Sequence, residues 1–408
     1  MGHLTQGIAL LKQLAETPAR LQHELELQTA LGPALMVARG YAAPEVEQTY
    51  SRARELCQQV GEAPQLFSAL WGIWYFYGVR PETQQAVELA RQLFTLAHSV
   101  PDSTLLMVAH RALGGPLTAH GALAQGLEHL RQGLTLYHPQ QHRALAFVYG
   151  QDIGVACQQW SAWALWLLGY PDQALQMTRD TLQMAQEVSH PLTLAGAMTF
   201  SATFHRFRRE TAPAKALAKS ALRLTTEQGF GFWMAFAKTV LGELVEPGDI
   251  AAGMARTREG IAAWRATGAE VLLPLYLTQL AEAYGKVGQA DAGLAALDEA
   301  LSIVERGGEH TWDADLYRVK GDLMLMQGAA ASAAEACFHE ALEIARRQGA
   351  KSWELRAATS LSRLLHTQGK AAEARTLLSE VYGWFTEGFD TADLQEAKGL
   401  LDALSRQE

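Results

Sequence analysis

Aromatic rings, guanidinium groups and one amide fall in this chain where one face of a series of helices would gather them. They are Trp71 and Tyr75, then Arg111, then Gln159, Trp163 and Trp166, then Arg206, Arg318 and Arg356. An indole or phenol ring offers an apolar, polarisable face, and an arginine offers a fixed fork of donors for a carboxylate or phosphate. Arg111 and Arg206 near Trp163 and Trp166 therefore suit a ligand with an apolar or aromatic body and an anionic group. A peptide with a carboxylate fits that description, and so does a small acidic metabolite. Three tryptophans and a tyrosine turned into a groove are costly exposure unless they bind something; the alternative is that they bury between neighbouring helices. Tyr149 and Asp152, in a stretch of surplus chain, complete the ligand-binding candidates.

Motifs for catalysis are missing. No GxxxxGKS/T phosphate loop occurs, since Gly114-Gly115-Pro116 lacks the lysine and the following hydroxyl, and neither HExxH nor GxSxG is present. Asp152, Glu282, Asp315 and Asp322 are the carboxylates that a hydrolase-type enzyme would use as acid or base, but no pairing in the sequence requires it. No catalytic residue and no cofactor is assigned. Of the 13 histidines, His138 and His142 have a ligand-like spacing of four, but Pro139 lies between them and discourages a helix. They read as solvated loop residues, and no metal site is assigned. Cys57, Cys157 and Cys337 lie too far apart for a zinc knuckle or a disulfide framework, which points to core thiols in a reducing cytoplasm. A net charge of -9 argues against nucleic acid or an anionic membrane as partner.

The elements that must position these residues are helices in a repeat. From Pro81 onward the markers Pro81/Ala86, Gly121/Gly126, Gly169/Ala174, Arg209/Ala214, Gly248/Gly253, Gly288/Gly293, Gly328/Ala334 and Gly369/Ala374 recur at steps of 40, 48, 40, 39, 40, 40 and 41. Each is a turn followed five or six residues later by a small residue, which two helices need if they are to cross closely. A unit of two helices cannot bury its own apolar face, so stacking is obligatory. In Asp291 to Glu305, Leu294, Leu297, Leu301 and Val304 form one apolar stripe. Strand signals are nearly absent. The expected fold is all-α, a right-handed superhelical solenoid of antiparallel helix pairs with a period of about 40 residues. Residues 1–80 read as looser helical repeats, 81–390 as regular repeats and 391–408 as a capping helix. The surplus of the 48-residue step falls in His138 to Asp152, an insertion of the kind that often touches ligand but that equally reads as a tolerated surface loop. The apolar runs Ala63 to Val79 and Ile153 to Pro171 read as buried solenoid helices and not as membrane spans, and the N-terminus lacks a signal peptide.

Around the turn residue Gly288, Leu277, Leu280, Ala281 and Tyr284 precede and Gly293, Leu297 and Ala300 follow. That spacing resembles the tetratricopeptide signature; HEAT-like stacking is the structural runner-up. Segments such as GPALMVARGYAAPEVEQTYSRARELCQQVGE, QQHRALAFVYGQDIGVAC and EIARRQGAKSWELRAATSLSRL resemble the C-terminal tetratricopeptide region of large bacterial signalling proteins. In that family an adenylate/guanylate cyclase domain and an AAA/STAND-type ATPase precede the repeats. The resemblance implies a sensor or regulatory array, and this chain departs from the family in lacking both upstream modules. Its Gly229 to Gly248 unit also reads as worn.

Within such an array the first helix of each unit lines the concave surface, which is why the rings and arginines above share a face. The expected function is a binding module for a peptide, a protein segment or a small anionic or aromatic molecule in a concave groove. The alternative is a structural adaptor that self-associates through the uncapped first helix, where Leu4, Ile8 and Leu11 lack a cover on one side.

Overall fold

The computed structural model describes residues 1–61, 63–243 and 250–406, so the turn marker Gly248 lies outside the described residues. The fold is all-α, with no strand among the described residues. Among the described residues nine antiparallel helix pairs follow one another: Pro18–Arg39 with Pro44–Val60, Ala63–Gly78 with Thr83–Ser99, Ser103–Ala119 with Leu123–Leu136, Ile153–Leu167 with Pro171–Val188, and Pro191–Phe207 with Thr211–Gln228. Gly231–Glu243 with Ile250–Ala266, Leu273–Lys286 with Ala290–Gly307, Asp313–Met326 with Ala331–Gln348, and Lys351–Thr367 with Ala371–Tyr382 complete the series. Gly2–Leu11 and Ala392–Ser405 flank the pairs. No described helix is long and apolar enough to cross a membrane.

Local signals set these boundaries. Asp102 accepts a hydrogen bond from the Thr104 N–H at 2.8 Å and Asp152 one from the Val155 N–H at 2.9 Å, each satisfying an otherwise orphaned donor at a helix start. Proline begins Pro171–Val188 and Pro191–Phe207, where its missing N–H costs nothing. The turns close through residues with positive φ, such as Gly169 at 90°; Arg209 occupies the equivalent place at 61° without being glycine. The small residues that follow are sealed at the crossings, Ala174, Ala214, Ala334 and Ala374 being fully buried.

The insertion differs from expectation. Pro139–His142 is a helical turn that proline begins, and His142 is buried, its Nδ1 accepting the His138 N–H at 3.0 Å. His142 therefore caps its own turn and is not a solvated loop residue. Tyr149, a few residues on, accepts the Trp71 indole N–H on its carbonyl at 3.2 Å.

The superhelix closes on itself. Trp233 Nε1 donates to the Tyr41 hydroxyl at 3.3 Å, the Val271 N–H to the Val79 carbonyl at 3.1 Å, and the Thr311 hydroxyl to the Ala119 carbonyl at 2.9 Å. Each of these three pairs is 192 residues apart, about five repeats, so the second turn is stacked in register on the first. Further along, Ser352 donates to the Trp166 carbonyl and Arg356 to the Phe207 carbonyl at 2.7 Å. The open trough expected on the concave side is consequently not there. Bulky inner rings pack ring to ring between neighbouring units and across the turns: Trp166 lies 4.9 Å from both Phe207 of the next unit and Trp353 of the second turn, and Trp163 lies 4.4 Å from Phe200 and 6.1 Å from Trp312.

Candidate functional site

A ring-lined hollow lies between the two turns. It encloses about 770 Å³ of space not filled by atoms, mouth included. The first turn supplies Trp74 and Tyr75 from Ala63–Gly78, Arg111 and Gly115 from Ser103–Ala119, and Gln159 and Trp160 from Ile153–Leu167. The end of the insertion adds Gln151, so the surplus chain does reach this space. Opposite them stand Phe232, Trp233 and Phe236 from Gly231–Glu243, then Trp264 and Leu272.

Arg111 is the unusual member. It is 4% exposed, and neither its Nε nor its Nη1 has a hydrogen-bond partner. Its guanidinium carbon sits 5.5 Å from the Trp74 ring and 5.8 Å from the Trp160 ring, and no carboxylate lines the hollow. Burial draws its pKa down, partly offset by Tyr75 and Cys157, yet a guanidinium stays charged in a protein. The group fits only because residue 115 is glycine: a Cβ there would come within 2.7 Å of Arg111 Nη1. Trp74 Nε1 is also buried without a partner, while the Gln151 side chain reaches the Tyr75 hydroxyl. The side-chain polar atoms of the lining that are buried without a partner are thus donors.

Of the residues expected from sequence, the structure brings Tyr75, Arg111 and Gln159 to this hollow. Trp71, Trp163 and Trp166 are at most 2% exposed and do not line it, because the second turn or the insertion covers them. Tyr149 is 4% exposed and packs edge-on to Trp71 at 5.2 Å. Asp152 is fully buried; besides capping its helix it accepts the Tyr137 hydroxyl at 2.8 Å. Arg318 is consumed by Asp315 at 2.6 Å, Asp322 at 2.9 Å and Glu282 at 2.5 Å, and Arg356 by Asp393 at 2.9 Å while it stacks on Trp166 and Trp353. Arg206 lies apart, half-buried in a separate hollow with Glu282 and Gln279. The four candidate carboxylates therefore have structural bonds to make, either within the Arg318 cluster or at a helix start.

Trp74, Trp160 and Gln151 were missed because they sit beside, not on, the positions that a regular array turns inward. The ring-rich segment GFGFWMAF contributes Phe232, Trp233 and Phe236, although its unit had read as worn. Histidines form no metal cluster: among the described residues no group of three or more His, Cys, Asp or Glu is placed to share an ion. His110 and His129 do approach, Nδ1 to Nδ1, at 3.0 Å.

Glu309 was also overlooked. It holds Leu272, a wall of the hollow, through the Leu272 N–H at 2.8 Å, and accepts Trp312 Nε1 at 2.8 Å. Burial pushes its carboxyl up to about 7. A carboxyl raised above its unfolded value of 4.5 binds its proton more tightly when folded, so its contribution is complete below pH 4.5 and is lost as pH rises through 7. Glu309→Gln should therefore flatten the part of the stability curve between pH 5 and 7.5 that this group causes. Urea midpoints across that range test it, and identical slopes in both proteins would show that Glu309 does not titrate there.

No known protein-family profile matches the sequence. An uncharacterized protein of Rhizobium meliloti (strain 1021) is 26% identical over 341 residues, covering 81% of this chain and 32% of that protein. The chain thus spans about a third of the length of that curated relative. A Rap protein complexed with competence and sporulation factor is similar in structure with a TM-score of 0.51 at 15% identity, over 88% of this chain and 100% of that one. A STAND protein with a tetratricopeptide repeat sensor, from Pyrococcus horikoshii, gives 0.46 at 13% identity over 95% of this chain and 54% of that one. Helix pairing, spacing and the Rap likeness together place the fold as a tetratricopeptide-like solenoid.

Proposed function

We propose that the chain is a non-catalytic regulatory module that takes up a small anionic molecule with an apolar or aromatic body in the hollow between its two superhelical turns. The observation that carries this reading is Arg111, a buried cation without a counter-ion in a pocket whose other walls are uncharged and rich in rings. Leaving an ion unpaired in such surroundings costs several kcal/mol, and an anionic ligand is what would recover it. The sealed inner face disfavours an extended peptide lying along the concave side. Because the walls belong to different turns, an occupant would bridge them and tighten their contact. In a longer signalling polypeptide of the cyclase/ATPase kind that the sequence resembles, that tightening is how occupancy would bias a catalytic neighbour.

A thermal-shift screen of metabolite acids and of short peptides tests this. Small apolar acids should raise the melting temperature of the natural chain and leave Arg111→Met unshifted. Hits dominated by peptides, or shifts that survive Arg111→Met, would contradict the reading.

A second reading, self-association, has one observation in its favour: Leu10 and Leu14 near the N-terminus are 57% and 60% exposed. Light scattering across concentration separates it, since a strict monomer that still binds an acid removes it.

A further inference from the structure

Resting on that reading, we infer that the hollow at Arg111 selects a monoanionic aromatic carboxylate over phosphate esters, neutral aromatics and aliphatic acids. The charge balance comes first. Arg111 is the one cationic side chain in the lining and no acid offsets it, so one negative charge restores neutrality. A phosphate monoester, carrying close to two charges, would leave one uncompensated among rings, where desolvation is expensive.

Hydrogen-bonding capacity points the same way. Arg111 Nε and Nη1 and Trp74 Nε1 are buried donor nitrogens without partners, and no side-chain acceptor of the lining is buried without one. A carboxylate is acceptor-only with about four lone-pair sites. An alcohol offers fewer lone pairs and a donor of its own, and would leave some of these N–H groups unmade.

The body of the ligand is set by the opposite wall. Trp233 and Phe236 are nearly parallel, with 14° between planes, and Phe232 and Trp264 are tilted at 48° with centroids 4.6 Å apart. Ring faces and edges of this kind favour a flat aromatic partner beyond the area it buries. A flexible aliphatic chain would instead lose rotamer entropy on entering. The hollow is open at its mouth, so a flat ring system can enter edge-on with its carboxylate leading.

The test is isothermal titration of the full chain at pH 7.5 with four probes: 1-naphthoate, 1-naphthyl phosphate, 1-naphthalenemethanol and octanoate. The natural sequence should bind one 1-naphthoate per chain at least about ten times more tightly than any of the other three. Arg111→Met should erase that preference, and Trp74→Phe, which removes an unpartnered N–H but leaves the cation and a ring in place, should weaken 1-naphthoate more than 1-naphthalenemethanol. Equal or tighter binding of 1-naphthyl phosphate or octanoate, lost with Arg111, would overturn the carboxylate or aromatic assignment while leaving the anion-binding module standing. Equal binding of 1-naphthalenemethanol, or affinity for the acids unchanged in Arg111→Met, would overturn both. Absence of binding by all four probes would do the same.

Discussion

Arg111→Met should make the ligand-free chain more stable than the natural one, by about 2 kcal/mol, and should abolish uptake of aromatic acids. The balance is between three terms. Taking an ion out of water costs several kcal/mol, and each buried donor left unmade, here Nε and Nη1, adds about 1–3 kcal/mol. Against that stand two indoles at 5.5 and 5.8 Å, whose attraction for a desolvated cation is about 2 kcal/mol. Desolvation wins. Methionine has similar reach, no charge and a soft sulfur that tolerates the rings. A residue retained at a cost in stability is what a binding role predicts. Urea unfolding of both proteins measures the first effect, and titration with an aromatic acid measures the second. A variant that is less stable than the natural chain would show that the guanidinium serves the fold.

The second large effect is expected at Gly126→Val. Gly126 is where Leu123–Leu136 crosses Ser103–Ala119, and a Cβ there would meet Thr118 Oγ1 at 2.4 Å and both the Gly114 carbonyl and the Thr118 N–H at 2.9 Å. Two of those three atoms are backbone, so relief requires the helices to separate. We expect a loss of about 3 kcal/mol, the upper end of overpacking costs. Arg111 and Gly115 ride on Ser103–Ala119, so ligand affinity should fall with it. Gly399→Ala, in a helix with nothing within 4 Å of the new methyl, provides the contrast: a gain of about 0.5–1 kcal/mol. Thermal melts followed by helicity distinguish them. Equal melting of Gly126→Val and the natural chain would remove close crossing as the reason for the recurring small residues.

The helix pairs were legible because their causes are local. Turn residues such as Gly169, the small residue five positions on and the stripe Leu294, Leu297, Leu301, Val304 each act within one unit. Curvature is different, because it is the sum of small rotations over five units. Whether Trp163 and Trp166 face water or Trp312 and Trp353 depends on contacts between residues more than 140 positions apart, and no single unit encodes that distance. The same holds for the arginines. Arg111 and Arg318 look alike as inward-facing cations on a helix, yet Arg318 meets Glu282 on a neighbouring unit and Arg111 meets two indoles. Which of them was left unpaired became visible only with the helices stacked.

A crystal structure of the chain grown with 1-naphthoate tests the central claim most directly. The carboxylate should lie within hydrogen-bond distance of Arg111 Nε or Nη1, with the rings against Phe232, Phe236 or Trp264. Density for the acid elsewhere, with the hollow holding water and Arg111 still without an anion, would contradict it.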